Sequence, residues 1–596
     1  MNAKREFILL LGLSILIPGC GKTARQNISE ETTSGEFSIR MEMAVDRLTA
    51  DKYIPVFTPE FILADVKIDK ENPRRFDNYS GDISGRYIEV MSGYLQEGDP
   101  GNIRELVKNV LVLQHNDGRF GDTSLIFTEQ QIDRNHMPLL WGNGRLLTGL
   151  LEYYKQTLDS GVLAAAQRLG DFFLNTYREV TPAVAKRLEG LGADGIICFT
   201  QYVEPLVMLS GITGDPKYAE VATRVYPVLP SRGILHSHGY LTTLRGILKL
   251  YEYDNNRDHF YFVLNAYNDL INSSDYTLNG SVMEYFGGKG ERDEGCSSAD
   301  FIRLSLHLYK LTEDPVFLER AEFALFNSLY FNQYFTGDFG HHVINRNESA
   351  PTIHHMAWWC CTMAGLRAMQ VIRDQYFAES SDGTVKINLY IDTDYMDDNV
   401  SLMLRKGEID GNYHTFDIVF SSKDQQEYRL LLRKPSYASE FELLLNGEKD
   451  NLILRDGYYV TENYIKEGDN LRVRISYNTK IITADRKEVS LIEITGPVRG
   501  ALCYGPYLMA VDNDIDYTFL AEPNNNVVSS NTIRSAAGTD ISGRIPAGSS
   551  AGDAYLTAQY MHAGFPSYLP VLLRPISEMT FNKHPYMMVS FQFMPE

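Results

Sequence analysis

The chain has 596 residues, of which 44% are hydrophobic and 22% charged, and this balance predicts a globular protein of two or three domains. The formal net charge at pH 7 is -21, with 56 basic and 77 acidic residues and no long basic run, which argues against a nucleic-acid partner. The 37 tyrosines and 29 phenylalanines suit either a large core or a sugar-binding cleft.

The N-terminus has the pattern of an export signal. Lys4 and Arg5 precede an apolar run, residues 7–17, that is too short to span a bilayer. The sequence ending at Cys20 resembles a bacterial lipobox, which implies that Cys20 is lipidated. We therefore expect residues 1–20 to be a lipoprotein signal peptide. The mature protein would be exported and held only by its lipid at a bacterial membrane, in the periplasm or at the cell surface. An ordinary signal peptide with a chance cysteine is the alternative.

Two short segments follow this signal. Residues 21–36 are rich in Ser, Thr and Glu and poor in apolar residues, which predicts a flexible tether. Residues 37–79 begin with an alternating stretch, 37–41, and this alternation predicts an N-terminal β segment.

Residues 80–380 have the periodicity of amphipathic helices, as in the apolar series Leu146, Leu150 and Tyr154. A weak repeat runs through this region. It is a polar turn, usually with Asp, that begins a new helix, and its copies lie at 158–163, 214–219, 256–260 and 313–317. Asp can cap the free amides of a helix start, and Pro fits the first turn. About six helical hairpins would fill the region, either closed as an (α/α)6 barrel or open as a solenoid.

The pattern changes to period two after residue 380. Val385, Ile387 and Leu389 alternate with polar residues, and turn signals such as Asn446-Gly447 separate short strands. The predicted fold class is therefore α+β and multidomain. It consists of an (α/α)6 catalytic barrel over residues 80–380 and one or more antiparallel β-sandwich domains over residues 381–596.

Three of the six cysteines lie within residues 284–361, beside several carboxylates. Glu294 and Cys296 flank a glycine, and Cys360 adjoins Cys361. Zinc takes thiolates and carboxylates in a tetrahedral shell, so these four side chains form a sensible Zn²⁺ set. Adjacent cysteines cannot both face a metal squarely, and a loosely held thiolate is a nucleophile at neutral pH. A purely structural zinc site and a disulfide are the alternatives.

These motifs resemble those of glycoside hydrolase family 127, the β-L-arabinofuranosidase family and its relatives, whose members carry Glu-x-Cys and Cys-Cys. The resemblance covers most of the chain. It implies that Glu294, Cys296, Cys360 and Cys361 bind zinc. It also implies that Cys360 is the nucleophile, which forms a glycosyl-cysteine intermediate.

The resemblance also implies a general acid/base glutamate in a loop before the Glu-x-Cys motif. Glu284 is the match in this sequence, and Glu291 is its rival. The mechanism would retain anomeric configuration, with the carboxyl first protonating the leaving oxygen and then activating water.

Three further residues are candidates for substrate contact. His238 lies where the family has a helix facing the cleft, and His355 and Trp359 lie beside the cysteine pair. A packing or supporting role is the alternative for each.

We therefore predict an exported glycoside hydrolase that acts on plant-derived glycans. One alternative is a non-catalytic glycan-binding relative with structural zinc. Another is an (α/α)6 hydrolase or lyase that uses ordinary carboxylates, Asp293 and Glu284.

Overall fold

The computed structural model describes residues 35–68, 78–288, 292–342, 355–357, 359–381, 383–423, 425–512, 515–537, 554–565, 567–581 and 587–595. The predicted signal peptide with Cys20 and nearly all of the tether lie outside these residues, as does Glu291. The chain from Gly35 onward forms one compact unit. Within the described residues, every helix is too short or too polar to cross a membrane.

Helices make up most of the described chain before Phe377. In chain order the helices are α1 (Glu36–Thr49), α2 (Pro59–Lys67), α3 (Asp82–Met91), α4 (Ile103–Leu111), α5 (Met137–Thr157), α6 (Ser160–Thr176), α7 (Pro182–Arg187), α8 (Ile197–Thr200), α9 (Val203–Thr213), α10 (Lys217–Val225), α11 (Ser237–Asp254), α12 (Arg257–Ile271), α13 (Gly295–Thr312), α14 (Pro315–Ala324), α15 (Tyr330–Asn332), α16 (Trp359–Val371) and, much later, α17 (Tyr517–Ala521).

Six helices form a closed inner ring in the order α3, α5, α9, α11, α13 and α16, and α16 returns to pack against α3. The outer helices α4, α6, α10, α12 and α14 each pack against the inner helix that precedes them. The repeated turns begin outer helices: Asp159 caps α6 by accepting from Gly161 N at 2.8 Å, and Asp314 caps α14 by accepting from Val316 N at 3.0 Å. The ring therefore closes as an (α/α)6 barrel.

The predicted β segment over residues 37–79 is wrong, because α1 and α2 occupy most of its described part. Phe37, Met41, Ala44 and Leu48 are all buried at helical spacing, whereas Ile39, which suggested alternation, is 43% exposed. Helix α1 packs against α16 and so supplies the outer partner that the sixth hairpin lacks.

Strands follow the barrel from Ala378 onward, after a short β1 (Gly340–His342) and β2 (His355–Ala357) in the barrel loops. They are β3 (Ala378–Ser381), β4 (Thr384–Ile387), β5 (Thr393–Met396), β6 (Val400–Lys406), β7 (Tyr413–Ser422), β8 (Arg429–Arg433), β9 (Ala438–Leu445), β10 (Glu448–Lys449), β11 (Leu452–Arg455), β12 (Tyr458–Thr461), β13 (Leu471–Tyr477), β14 (Thr479–Thr483), β15 (Glu488–Ser490), β16 (Val498–Tyr504), β17 (Tyr507–Asp512), β18 (Asn526–Ser535), β19 (Leu556–His562), β20 (Tyr568–Pro575), β21 (Met587–Met588) and β22 (Ser590–Met594).

These strands form three sheets. A six-stranded sheet, β10-β9-β13-β7-β6-β5, faces a five-stranded sheet, β11-β12-β8-β4-β3, and the rings of Phe441 and Tyr459 stack between them at 4.8 Å. A nine-stranded sheet, β15-β14-β16-β22-β18-β19-β20-β17-β21, holds the rest. The prediction of purely antiparallel sheets needs one correction, because β4–β8 and β18–β22 are parallel pairs.

Candidate active site

The candidate site lies where the inner helices begin. Glu294 is the N-cap residue of α13 and Cys296 lies in its first turn, while Cys360 and Cys361 lie in the first turn of α16. Asp82 is the first residue of α3. Free backbone amides and the helix dipole favour negative charge at such ends, so ring closure collects carboxylates and thiols where their ionised forms are stabilised.

Glu294, Cys296, Cys360 and Cys361 each place one donor atom within 4.8 Å of the others. The Cys296 and Cys361 sulfurs are 3.7 Å apart, and those of Cys360 and Cys361 are 4.0 Å apart. Tetrahedral zinc with Zn–S distances of about 2.3 Å would place two sulfurs roughly 3.8 Å apart. A disulfide needs a separation of about 2.05 Å, so all three cysteines are free thiols in a geometry that fits zinc.

Gly295 allows the two halves of this cluster to approach. A Cβ at this position would lie 3.0 Å from Cys361 Cβ and 3.2 Å from the Gly340 carbonyl oxygen. The glycine between Glu294 and Cys296 therefore lets α13 meet the start of α16 closely.

The three thiols differ in exposure and in pKa. Cys360 is half-buried and lines a cavity, whereas Cys296 and Cys361 are fully buried. Hydrogen bonds from Cys296 and Cys361 hold the pKa of Cys360 well below its usual value, and burial raises the pKa of both donors. Cys360 is thus the thiol favoured as a thiolate and the one that a ligand can reach.

Glu294 is held by two neighbours. Its Oε2 accepts from Ser297 Oγ at 3.1 Å and lies 3.3 Å from His236 Nε2. Burial opposes ionisation of Glu294, but His236, together with His238 and His341, outweighs this effect, and the pKa of Glu294 lies far below its usual range. The carboxylate is therefore ionised, as a metal ligand must be.

Backbone pairing brings Glu284 to the same cavity although only ten residues separate it from Glu294. Met283 bridges Asp293 in antiparallel fashion, and Glu284 N donates to Arg292 O at 3.0 Å. Ser237 N, at the start of α11, donates to Glu284 O at 2.9 Å. The segment is thus fixed between its own return strand and an inner helix.

The Glu284 carboxylate is buried and lines the cavity. Arg292 donates hydrogen bonds to both carboxylate oxygens, from Nη2 to Oε1 at 3.0 Å and from Nε to Oε2. His341 Nε2 lies 3.8 Å from Oε1. Glu284 is therefore a carboxylate with a defined orientation at the cavity wall.

The cavity itself measures about 360 Å³. Its lining combines aromatic faces with charged groups. The described residues that line it are Tyr79, Asp82, Arg86, Trp141, Ala193, Asp194, His236, His238, Glu284, Tyr285, Arg292, Glu294, His341 and Cys360.

The three residues predicted to contact substrate have different positions. His238 lines the cavity, but its Nε2 accepts from Arg86 at 2.6 Å and its Nδ1 contacts Asp300, so both nitrogens have protein partners. Trp359 is not among the described lining residues, and its indole packs edge-to-face against Phe61. His355 lies on β2, and the described structure extends only to its backbone.

Asp293 does not line the cavity. It is fully buried and accepts from Ser281 Oγ at 2.8 Å, His342 N at 2.7 Å and Asn332 Nδ2 at 3.3 Å, so it joins the loop at Ser281 to strand β1 and helix α15. Burial raises the pKa of Asp293 to about 7. This structural role removes it as the partner of Glu284 in a two-carboxylate mechanism.

Sequence reasoning did not assign roles to Arg86, His236 or Asp300. Asp300 lies one helical turn after Cys296 and so shares a helix face with a residue of the predicted zinc set, and Arg86 lies one turn after Asp82, the first residue of α3. That spacing was the available signal. A buried charge at such a position needs a partner that only the closed ring supplies.

Comparisons with known proteins bear on the family and on the fold. The profile of the β-L-arabinofuranosidase GH127 catalytic domain matches residues 39–374. A GH127 β-L-arabinofuranosidase from Geobacillus stearothermophilus T6 aligns with 94% of this chain and 99% of its own at a TM-score of 0.68 and 14% identity. A GH127 β-arabinofuranosidase aligns with 94% of this chain and 96% of its own at a TM-score of 0.66 and 15% identity. No protein of curated function matches significantly. At these identities the structural likeness supports the fold, and it confirms the predicted fold class.

Proposed function

The chain belongs to the GH127 β-L-arabinofuranosidase family and is a glycoside hydrolase, as the sequence motifs predicted, and we propose that it is a retaining β-L-arabinofuranosidase with a cysteine nucleophile. The observation that carries this proposal is the position of Cys360. Of the three clustered thiols it alone lines the cavity, and its pKa is lowered by the other two. Glu284, on the same cavity wall, supplies the acid/base carboxyl.

Zinc is the proposed cofactor, because the donor set of two buried thiols, one half-buried thiol and one carboxylate fits its size and preference. Glu294, Cys296, Cys360 and Cys361 would hold it. When bound, zinc keeps the thiols ionised at neutral pH and makes sulfur a better leaving group.

The reaction proceeds in two displacements. Cys360 Sγ attacks the anomeric carbon while protonated Glu284 gives its proton to the departing glycosidic oxygen. The resulting Glu284 carboxylate then takes a proton from water, whose oxygen attacks the same carbon and breaks the carbon–sulfur bond. Two inversions restore the original anomeric configuration.

The substrate is a glycan, in keeping with the family, and we propose a plant-derived one. The Trp141 and Tyr285 rings, which line the cavity, offer apolar faces to a sugar ring. His236 and Arg292 add donors for hydroxyl groups. Trp359, which packs against Phe61, supports the wall and lies away from the sugar in this proposal.

A non-catalytic glycan-binding relative with structural zinc is the competing function. It would use the same cavity without turnover. The half-buried position of Cys360 favours catalysis, because a purely structural zinc site is closed on all sides by protein.

Export with a lipid anchor at Cys20 remains our proposal for the location of the protein, and its support is the lipobox-like sequence. Cys20→Ser expressed in a bacterial host is expected to lose incorporation of labelled fatty acid and to release the protein from the membrane fraction. Labelling that survives in the variant would contradict lipidation at this residue.

Cys360→Ala tests the proposed function with an aryl β-L-arabinofuranoside as substrate. We expect kcat to fall by roughly 10⁴-fold or more, the scale seen when an enzyme loses its nucleophile. Cys503→Ala, which alters a buried cysteine on β16 of the C-terminal sheet, is the matched control and should keep kcat. Turnover that persists in Cys360→Ala would overturn the proposal, and an inactive wild-type protein that holds zinc and binds glycan would favour the non-catalytic relative.

A further inference from the structure

A chain of buried charged side chains leads away from the thiol cluster into the barrel. Asp300 Oδ2 contacts His238 Nδ1 and accepts from Thr242 Oγ1 at 3.3 Å, and Asp300 Oδ1 pairs with Arg245 Nη1. Arg245 Nη2 in turn pairs with Glu204 Oε2 at 2.8 Å. All of these side chains are nearly inaccessible to solvent. Their contacts are therefore not weakened by water as surface ion pairs are.

The spacing along the helices explains how the chain is built. Cys296 and Asp300 lie one turn apart on α13, as do Asp82 and Arg86 on α3. On each helix the two residues share one face, which places Asp300 one turn beyond Cys296 and Arg86 one turn beyond Asp82. His238, near the start of α11, lies between Asp300 and Arg86 and contacts both.

The partners of His238 assign its tautomer. Burial lowers the pKa of His238, Asp300 opposes this effect and Arg86 adds to it, so the ring is neutral at neutral pH. Burial also opposes ionisation of Asp300, but Arg245, His238 and Arg303 together outweigh it and hold the pKa of Asp300 far below its usual range. An ionised Asp300 accepts the Nδ1 proton, which leaves the Nε2 lone pair to accept from Arg86 at 2.6 Å.

Arg86 is fixed on three sides by these contacts. Its Nε donates to Asp82 Oδ1 at 2.8 Å, its Nη2 donates to His238, and its Nη1 lies 4.0 Å from Cys296 Sγ. Asp82 is itself held by Trp141 Nε1, which donates to it at 2.8 Å. The guanidinium thus places a permanent positive charge beside a cluster of three thiols and a carboxylate.

We propose that Asp300 is a positioning residue that, by fixing the Nδ1–H tautomer of His238, holds the Arg86 guanidinium beside the Cys296 sulfur. Asp300 acts through His238 and lies outside the lining of the cavity. Arg86 then offsets the negative charge that the thiols and Glu294 concentrate at the helix starts. The effect on turnover rests on the proposed glycosidase function, whereas the position of Arg86 can be tested without it.

Asp300→Asn tests this role because it removes the negative charge and weakens the acceptor for the His238 Nδ1 proton, with little change in the shape of the side chain. A neutral amide competes less well for the Nδ1 proton, so His238 can present Nε2–H to Arg86, and two donors then oppose each other. We expect kcat to fall by about 10- to 100-fold, the usual size for a residue that supports a metal or catalytic group, with KM nearly unchanged. In a crystal structure of the variant, Arg86 should have left the 2.6 Å contact with His238.

The matched control is Asp254→Asn, the same change in another Asp–His pair. Asp254 Oδ2 lies 3.0 Å from Nε2 of the buried His259, far along the barrel at the end of α11. This variant should keep wild-type kcat. A general sensitivity to loss of an Asp–His pair would lower kcat in both variants and would count against a specific role for Asp300.

A double-mutant cycle separates positioning from simple packing. His238→Gln removes the imidazole through which Asp300 acts, so Asp300→Asn in that background should reduce kcat by less than about threefold further. Full additivity of the two losses would overturn the proposal.

Zinc affinity provides a readout independent of turnover. Competition with a chelator should show zinc bound about 10- to 100-fold more weakly by Asp300→Asn than by wild type, since Arg86 no longer offsets the thiolate charge. If the wild-type protein proves inactive, the proposed function fails while the zinc affinity and the Arg86 position still decide this proposal. An unmoved Arg86 with unchanged zinc affinity would overturn it.

Discussion

The two ends of the barrel are built from the same inner helices and have opposite chemistry. At the helix starts lie the thiols, Glu294 and Asp82. At the helix ends lies a larger cavity of about 570 Å³, lined by cations such as Lys249, Arg303 and Arg367 among carboxylates. The described lining of this second cavity contains no cysteine.

The helix dipole explains this difference. Free amides at helix starts favour anions, which suits the thiols and carboxylates of the near end, and free carbonyls at helix ends favour cations, which suits the lysines and arginines of the far end. At the far end most of the cations form ion pairs. Arg367 Nη2 lies 3.3 Å from the Glu152 carboxylate, and Lys310 lies 2.8 Å from that of Glu252. Chemistry that needs an ionised thiol thus belongs at the near end. We expect the far end to have a structural role only.

Removal of the metal should have the largest effect on activity, and it should alter the structure only at the near end. One equivalent of zinc is expected per protein. Dialysis against a chelator under reducing conditions should abolish aryl glycoside hydrolysis and lower the melting temperature by several degrees, because a ligand bound only by the folded state stabilises it. Added zinc should restore both. A protein that melts earlier without metal but had no activity to lose would identify the non-catalytic relative.

Glu284→Gln should have the next largest effect. We expect kcat to fall by about 10²- to 10⁴-fold, the contribution of a general acid/base. Azide, which needs no base, should restore turnover and give a glycosyl azide of retained configuration. The same change at the far end, Glu252→Gln, is the control and should leave kcat within about twofold. Without azide rescue, Glu291 would become the acid/base candidate.

His307→Gln should have the smallest effect and should confine it to stability. Burial lowers the pKa of His307, with Glu252 opposing, so the unfolded chain binds this proton more readily than the folded one. Stability is therefore lost as pH falls through the unfolded-state value near 6.5. The variant should lose less stability than wild type between pH 7.5 and pH 5, by roughly 1 kcal/mol or less, measured by denaturant unfolding. An equal loss in both proteins, or a changed kcat, would contradict a purely structural far end.

Much of the fold could be predicted because its signals are local. Helical spacing in the barrel, period two after residue 380 and the capping turns at Asp159 and Asp314 each depend on neighbouring residues. The prediction of a β segment after residue 36 was wrong for the same reason, because it depended on neighbouring residues alone. The alternation in residues 37–41 obscured the helical spacing of the buried residues Phe37, Met41 and Leu48. These residues lie on α1, which packs against α16, the last inner helix in the sequence.

The candidate site was also predictable only in part. The sequence alone determined the cysteine and glutamate set and its resemblance to GH127, because the chemistry resides in residue types and short spacings. Only the tertiary structure decided that the ring closes, that Cys360 faces the cavity while Cys296 and Cys361 do not, and that Asp300 reaches Arg86 through His238. These are contacts between separate helices, and their geometry depends on how whole helices pack around a common axis.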